Sequence, residues 1–123
     1  MNIVDSSGWL EYFADGPNAK YYVDPLNEIS SLMIPVITIY EVFNVVLRES
    51  SENDALLVVA AMQKGRVIDL DTNIAMAASR LSLRLNLAMA DSVILATARA
   101  YGCVVWTQDS DFQNIEGIRY FPA

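Results

Sequence analysis

The side chains available for chemistry in this sequence are almost all carboxylates. The 123 residues contain no His and one Cys, against fifteen Asp and Glu. Without His, the Ser-His-Asp triad, His-dependent ribonuclease chemistry and His-ligated zinc are all excluded. One Cys allows neither an intrachain disulfide framework nor a cysteine-cluster zinc site. Any enzymatic activity must therefore depend on Asp and Glu.

Five of these carboxylates stand next to predicted strand ends or helix starts. Asp5 ends the first apolar run, and Glu41 follows the second apolar run on the first turn of a predicted helix. Asp91 opens a helix that leads into a late strand, and Asp109 and Asp111 come directly after that strand. Because ligands of open parallel sheets bind beyond the carboxyl ends of the strands, we expect all five side chains along one rim.

Carboxylates that converge on one rim repel each other unless a cation lies among them. Oxygen ligands without His or Cys select Mg²⁺ or Mn²⁺ rather than zinc. Two divalent ions would neutralise four carboxylates, which is the arrangement used in two-metal phosphodiester cleavage, with the ions about 3.5–4 Å apart. Ser6 and Thr107 stand beside two of the acids, where a hydroxyl could orient a carboxylate or the attacking water.

The acids of the predicted rim also have purely structural interpretations. Asp5 could be a helix cap, Asp91 could be a helix cap or an acid favoured by the helix dipole, and Asp109–Ser110–Asp111 could be a polar turn. Asp91 differs from the others because its predicted helix face is apolar, and an unpaired carboxylate is costly there. The residues of that face are Ile94, Leu95 and Ala98.

Glu41 belongs to a polar stripe on its predicted helix. Glu41, Asn44 and Arg48 repeat at helical spacing, a pattern that is typical of a solvated helix face. The functional alternative makes Asn44 and Arg48 substrate-orienting residues beside Glu41, with Arg48 contacting a phosphate.

Alternating Val- and Ile-rich runs and helical stretches predict an α/β fold with a mostly parallel sheet between helices. The predicted strands are Asn2–Asp5, Met33–Ile37, Arg66–Ile68, Cys103–Trp106 and Ile118–Phe121. The predicted helices are Ser7–Ala14, Tyr40–Glu49, Asp54–Lys64, Thr72–Leu85 and Asp91–Tyr101. Gly65 and Gly102 each follow a helical pattern, where a left-handed residue is expected. Residues 1–123 are expected to form a single domain.

Charge and hydropathy narrow the possible partners. The net charge of −7 and the eight basic residues argue against a broad basic surface for nucleic acid. The 54 % hydrophobic content indicates a subunit interface.

The longest apolar run, Leu56–Met62, is far shorter than the about 20 residues of a membrane helix. No basic region precedes an apolar segment at the N-terminus, so we expect a cytoplasmic protein without a membrane partner.

Three segments of the sequence resemble PIN domains, and among them the VapC-type toxin ribonucleases of type II toxin–antitoxin systems. These segments are IVDSSGWLEYF at the start, IPVITIYEV before the first long helix, and LAMADSVILATARAYGCVVWTQDSDF near the end. The order and spacing of their acidic motifs match that family over essentially the whole chain.

This resemblance implies a fold, an activity and a set of partners. The fold is a PIN-like three-layer α/β/α sandwich around a mostly parallel sheet of about five strands. The activity is a Mg²⁺- or Mn²⁺-dependent endoribonuclease, in a homodimer that a cognate antitoxin neutralises by laying its C-terminal segment across the cleft. The implied metal ligands are Asp5, Glu41, Asp91 and Asp109, with Asp111 as a further acid and Ser6 and Thr107 as the accompanying hydroxyls.

Three other functions remain open. A receiver-like phospho-acceptor domain also clusters acids at strand ends. Receiver domains resemble one another in having a Lys after the last strands, whereas Lys20 and Lys64 of this chain lie elsewhere. In aspartyl-phosphate phosphatases the DxD motif follows the first strand and continues to Thr, whereas here it is late and continues to Phe112. The third alternative is a catalytically silent PIN-like binding subunit, against which the intact set of acids argues.

Overall fold

Five short strands alternate with helices along the chain, as the sequence pattern predicts. The computed structural model describes residues 1–123. Its strands are β1 (Asn2–Val4), β2 (Met33–Pro35), β3 (Arg66–Ile68), β4 (Val104–Thr107) and β5 (Ile118–Tyr120). Its helices are α1 (Ser6–Phe13), α2 (Ala19–Asn27), α3 (Val36–Glu49), α4 (Glu52–Met62), α5 (Thr72–Leu85) and α6 (Met89–Tyr101). Short 3₁₀ turns lie at Ile29–Ser31 and Ser110–Phe112.

All strand pairs in the sheet are parallel. β4 lies between β1 and β5, while β2 pairs with β3. A single bridge between Asn2 and Leu32 joins these two groups, which gives the order β3-β2-β1-β4-β5. Val4 at the end of β1 is in register with Trp106 in β4, so the residues that follow these two central strands emerge side by side.

Helices cover both faces of the sheet. Successive strand residues point to opposite faces, and β1 shows this with two fully buried neighbours. Ile3 packs in a core with residues of α5 and α6, whereas Val4 packs in a second core with residues of α1, α2, α3 and α4. The predicted three-layer α/β/α sandwich with a parallel sheet is confirmed.

The boundary between β2 and α3 differs from the predicted one. The predicted strand Met33–Ile37 ends at Pro35, and the helix begins at Val36 instead of Tyr40. Thr38 Oγ1 donates a hydrogen bond to the Pro35 carbonyl at this start. Glu41 therefore lies on the second turn of α3, and its predicted place on the first turn was wrong.

Two further predictions about helix ends were wrong, and one was right. α6 begins at Met89 after an N-cap at Ala88, so Asp91 does not open the helix. Gly102 has the expected left-handed φ of 66°, but Gly65 does not. A Cβ at Gly65 would lie 2.3 Å from Ile34 Cδ1 and 2.9 Å from the Leu32 carbonyl oxygen. Gly65 is thus required for close packing against β2.

The chain also contains a helix that the sequence pattern did not indicate, α2. Its nine residues include Pro25 in the last turn, and it contributes Tyr22 and Leu26 to the core beneath α1.

No single helix is long and apolar enough to cross a membrane. Helices α5 and α6 together have the length and composition of a membrane span, but they are bent by 116° relative to each other.

Candidate active site

Asp5 is held at the junction of β1 and α1 by three hydrogen bonds. Its Oδ1 accepts from the Gly8 amide (3.0 Å) and from Ser7 Oγ (2.7 Å), and its Oδ2 accepts from Thr107 Oγ1 (2.7 Å). The first of these bonds makes Asp5 the N-cap of α1, as its structural interpretation predicted. The side chain is 3 % exposed, and this burial raises its pKa to about 6.

Thr107 connects Asp5 to the acids that follow β4. Its hydroxyl donates to Asp5 and accepts a hydrogen bond from the Asp109 amide at 2.9 Å. Asp109 Oδ1 in turn accepts from the Asp111 amide at 2.9 Å, which starts the short 3₁₀ turn Ser110–Phe112. The turn interpretation is therefore confirmed, and this turn presents both carboxylates at the end of the strand.

Glu41 reaches the same rim from α3. Ser6 Oγ donates to Glu41 Oε1 at 2.5 Å, across 35 residues of sequence. Ser6 is the first residue of α1 and directly follows Asp5, so this bond holds Glu41 next to the start of that helix. Ser6 therefore orients a carboxylate, one of the two roles predicted for it.

Asp91 has no hydrogen-bond donor, although it is half-buried. Its neighbours on α6 are buried as predicted, with Ile94, Leu95 and Ala98 each 1 % exposed. Burial is the largest cause that raises the pKa of Asp91, to about 7, and repulsion from Asp109, Asp5, Glu41 and Asp111 adds to it. The helix-cap interpretation was wrong, because Ala88 occupies that position, but Asp91 does lie in the first turn of α6, where the helix dipole favours an acid.

The fold thus brings all five acids together, and no Lys or Arg side chain forms a salt bridge with any of them. The four other acids each contribute to the repulsion felt by Asp91. The single salt bridge of the chain joins Arg48 to Glu49, away from this rim. Asp91, Asp109 and Asp111 come closest, because one carboxylate oxygen of each lies within 4.8 Å of the other two. We call these three residues the acid trio.

Asn44 and Arg48 do not join the acids. Both are exposed, and Arg48 Nη1 donates to Asn44 Oδ1 at 3.4 Å while Nη2 lies 3.5 Å from Glu49 Oε1. The solvated-stripe interpretation fits these two residues. It does not fit Glu41, which is half-buried and hydrogen-bonded.

Ser7 is a supporting residue that the sequence did not single out. Its hydroxyl donates to Asp5, lies 3.4 Å from Thr107 Oγ1, and accepts a 3.3 Å hydrogen bond from the Gln108 amide. The sequence signal for Ser7 was its position two residues after Asp5. A carboxylate that caps a helix can accept hydrogen bonds from residues of the first helical turn, and Ser7 is one of them.

Comparison with known proteins decides the family. Residues 3–118 match the PIN domain family. This chain belongs to that family. The chain matches no curated protein.

Solved structures share this PIN fold at low sequence identity. A toxin–antitoxin complex from Klebsiella pneumoniae has a TM-score of 0.83 at 22 % identity over 100 % of both chains. VapC20 from Mycobacterium tuberculosis, described as a sarcin-ricin loop cleaving toxin, has a TM-score of 0.79 at 17 % identity over 94 % of this chain and 95 % of its own. DNA-bound VapBC from Salmonella typhimurium gives 0.75 at 21 % identity, over 99 % and 98 %.

The donor atoms of this PIN domain fit a divalent cation. The acid trio offers oxygen ligands alone, from side chains within 4.8 Å of one another, which suits Mg²⁺ or Mn²⁺ and not a soft metal. Asp91 contributes an unbonded carboxylate in a partly apolar setting. A cation is the partner that would allow such a group to stay ionised.

An open groove begins next to this rim. Its volume is about 850 Å³, and it lies between α1, α3 and α4. Ser7 and Gln108 are part of its wall, which connects it to the Asp5 hydrogen bonds. Its apolar residues include Leu10, Phe13 and Leu57, the last of which is 70 % exposed. We call it the α1–α4 groove.

Proposed function

We propose that this PIN domain is a Mg²⁺- or Mn²⁺-dependent endoribonuclease, the toxin of a toxin–antitoxin pair. The observation that carries the proposal is the acid trio, in which Asp91 has neither a hydrogen-bond donor nor a cationic neighbour. Membership of the PIN family supports a nuclease, and toxins among the similar structures support the biological role. The whole chain, residues 1–123, is proposed to be one nuclease domain in the cytoplasm.

Each acid has a distinct task in this proposal. Asp91, Asp109 and Asp111 bind the cation directly, Glu41 completes the ligand set from α3, and Asp5 holds the end of β1 against β4 while adding a further ligand oxygen. A bound divalent cation supplies Lewis-acid activation of the attacking water and stabilises charge on the leaving oxygen. Ser6 and Thr107 hold Glu41 and Asp5 at fixed positions, so the acids need little rearrangement when RNA binds.

Asn44 and Arg48 have a separate proposed role on the outer end of α3. Their exposed side chains pair with each other in the C-terminal half of the helix. There they would contact RNA that leaves the rim, and Arg48 would meet a phosphate.

The proposed antitoxin binds in the α1–α4 groove. The groove combines apolar side chains with the carboxylates of Glu11, Glu49 and Asp54, which favours a partner segment that is apolar on one side and basic on the other. Because the groove opens beside Ser7, a segment lying in it can place a basic side chain near Asp5 and Asp91. Complexes of toxins with antitoxins among the similar structures support this partner.

A homodimer is the proposed assembly. Leu83 and Met89 are 87 % and 73 % exposed, and a second chain that covers them would remove this apolar surface from water. A stable interface should bury more than about 1,000 Å² in total. Sedimentation should therefore show a dimer at micromolar protein, and a monomer throughout that range would contradict the assembly.

The experiment that tests the activity separates metal binding from cleavage. Calorimetric titration with Mn²⁺ should show binding in the wild type and in the exposed-acid control Asp24→Asn, and loss of binding in Asp109→Asn. Cellular RNA incubated with the wild type in Mn²⁺ should be cut, and sequencing of the new 5′ ends should identify the cleavage positions. No divalent binding at millimolar concentration contradicts the metal site, whereas binding without cleavage supports the silent binding subunit.

A further inference from the structure

Three arginines surround a groove between α5 and α6. Arg80 and Arg84 extend from α5 and Arg99 extends from α6, around a cavity of about 370 Å³. Most of its other lining residues have small side chains, Ala77, Ala96 and Ala100, and the last is Leu81. Because the alanine side chains are short, the groove is open enough for a ligand to lie between the guanidinium groups. We call it the arginine groove.

The guanidinium groups of the arginine groove have no acidic partners. The chain has fifteen acids and eight basic residues, so acidic side chains outnumber the cations almost two to one. Yet the single salt bridge is formed by Arg48, and Arg80, Arg84 and Arg99 form neither salt bridges nor hydrogen bonds while being exposed. Three of eight cations converge in a chain of net charge −7, at a cost in mutual repulsion.

Helix electrostatics explain only part of this arrangement. Arg84 and Arg99 lie in the last turns of α5 and α6, where the helix dipole favours a cation. Arg80 lies one turn earlier in α5 and receives no such benefit, since the dipole acts within the last turn. Its place beside Arg84, four residues away, is unfavourable for like charges on a helix. An anionic ligand would offset that repulsion.

We propose that the arginine groove binds the phosphodiester backbone of RNA. Arginine forks bind phosphate oxygens in pairs and are weakly hydrated, and three of them around one concave surface suit consecutive phosphates. The proposal rests on the proposed ribonuclease function and addresses its main electrostatic difficulty, because an acidic rim repels RNA. A second, cationic surface supplies the attraction that the rim lacks.

The groove and the rim are connected by α6. Asp91 is the third residue of this helix and Arg99 lies in its last turn, so the two are separated by about 12 Å along the axis at 1.5 Å per residue. One RNA molecule can therefore contact the groove while another part of its backbone lies at the acids. The groove would thus contribute to substrate affinity and leave the chemical step to the rim.

The test measures RNA binding in EDTA, where cleavage cannot occur. A fluorescein-labelled oligouridylate is titrated with the wild type, with Arg80→Gln/Arg84→Gln/Arg99→Gln, and with the control Lys20→Gln/Lys64→Gln/Arg119→Gln, which loses the same charge elsewhere. We expect affinity to fall at least tenfold in the arginine triple variant and no more than about threefold in the control. The slope of log affinity against log salt should shrink by about 2, at about 0.7 per phosphate contact.

Several outcomes overturn this assignment. Equal weakening in both triple variants would show a general charge effect, and no measurable binding by the wild type at low salt would show that the groove does not bind RNA. Unchanged RNA binding with loss of the dimer on sedimentation would make the groove an interface between copies. If the triple variant melts early, Arg80→Gln alone, with about one third of the effect on the salt slope, replaces it.

The same titration separates this proposal from the ribonuclease proposal. RNA binding that depends on the arginines, without any cleavage in Mn²⁺, supports the groove and contradicts the nuclease. Cleavage with an unchanged KM in the arginine triple variant supports the nuclease and contradicts the groove. If both proposals hold, KM rises in the arginine triple variant while kcat stays within about twofold.

Discussion

Asp5 and Asp91 lie on the same rim, but the protein supports them differently. Asp5 accepts three hydrogen bonds and is 3 % exposed. Asp91 accepts none and remains half-buried. Burial raises the pKa of both carboxyls, to about 6 for Asp5 and to about 7 for Asp91.

The difference separates a carboxylate that builds the fold from one that the fold leaves unsatisfied. The donors around Asp5 offset much of its burial, so it joins β1, α1 and β4 even without a ligand. Asp91 is stable in the metal-free protein only by taking up a proton or by tolerating the repulsion of four acids. Substitution of Asp5 should therefore mainly lower stability, whereas substitution of Asp91 should mainly lower activity.

The largest expected effect is on cleavage by Asp91→Asn. Loss of a ligand carboxylate removes transition-state stabilisation worth about 100-fold to 1,000-fold in rate. The melting temperature in EDTA should stay constant or rise, because the substitution removes a repelling charge and Asn keeps the size of the side chain. Paired measurements of melting in EDTA and of RNA cleavage in Mn²⁺ check this; retained cleavage would break the proposed ligand set.

The next largest effect is on stability, in Asp5→Ala. Loss of the α1 cap costs about 0.5–2 kcal/mol, and the Thr107 and Ser7 hydroxyls that lose their acceptor add about 1–3 kcal/mol. Asp5→Asn is the matched control, since Asn caps a helix about as well as Asp. Urea unfolding in EDTA gives the measurement. An Asp5→Ala protein as stable as the wild type would contradict the structural role of Asp5.

A smaller effect is expected in the pH dependence of metal-free stability. A carboxyl whose pKa is raised by folding adds stability below its unfolded pKa of 3.8 and loses that contribution as pH rises through its folded pKa, about 6 for Asp5 and about 7 for Asp91. The melting temperature in EDTA should therefore fall between about pH 4 and pH 7 and change little above that range. Asp91→Asn should flatten the upper part of this fall, and Mn²⁺ should raise the melting temperature most at pH 8, since binding displaces the proton.

The smallest effect is expected for Ser6→Ala. The substitution removes the hydrogen bond to Glu41 Oε1 but leaves every carboxylate in place, so cleavage should fall only several-fold. The metal concentration for half-maximal cleavage should rise, because Glu41 becomes less well positioned. Ser110→Ala, an exposed Ser on the neighbouring turn, is the control. A loss as large as that of Asp91→Asn would mean that Ser6 contacts the substrate itself.

The sequence predicted the rim better than the elements that support it. The acids could be placed because they follow short, continuously apolar runs, and parallel pairing brings the ends of such runs to one edge. The start of α3 could not be placed from the sequence, because Ile37, Thr38 and Ile39 are β-branched residues that favour strands. In the structure they belong to the helix. Ile37 packs against the core formed with α5 and α6, and Ile39 packs against the core that contains Met62 of α4. This packing outweighs the local preference.

Helix α2 and the hydrogen bonds of Ser7 were not predicted for different reasons. Pro25 usually ends or kinks a helix, but here it lies in the last turn of α2, where few helical hydrogen bonds depend on it. Ser7 has no periodic pattern of its own, and its role depends on Thr107, 100 residues away. Contacts of that separation follow from the parallel register of β1 and β4, which composition does not reveal.

The sheet consists of two strand groups that are joined by the single bridge between Asn2 and Leu32. We call this junction the seam. Asp5, Thr107, Asp109 and Asp111 belong to the half built on β1, β4 and β5, whereas Glu41 follows β2 in the other half. The Ser6–Glu41 hydrogen bond crosses this seam. A boundary with few backbone hydrogen bonds opens at a lower free energy than the strands on either side. A ligand held jointly by Glu41 and Asp109 would therefore lock the two halves together, and its affinity would be linked to the rigidity of the seam.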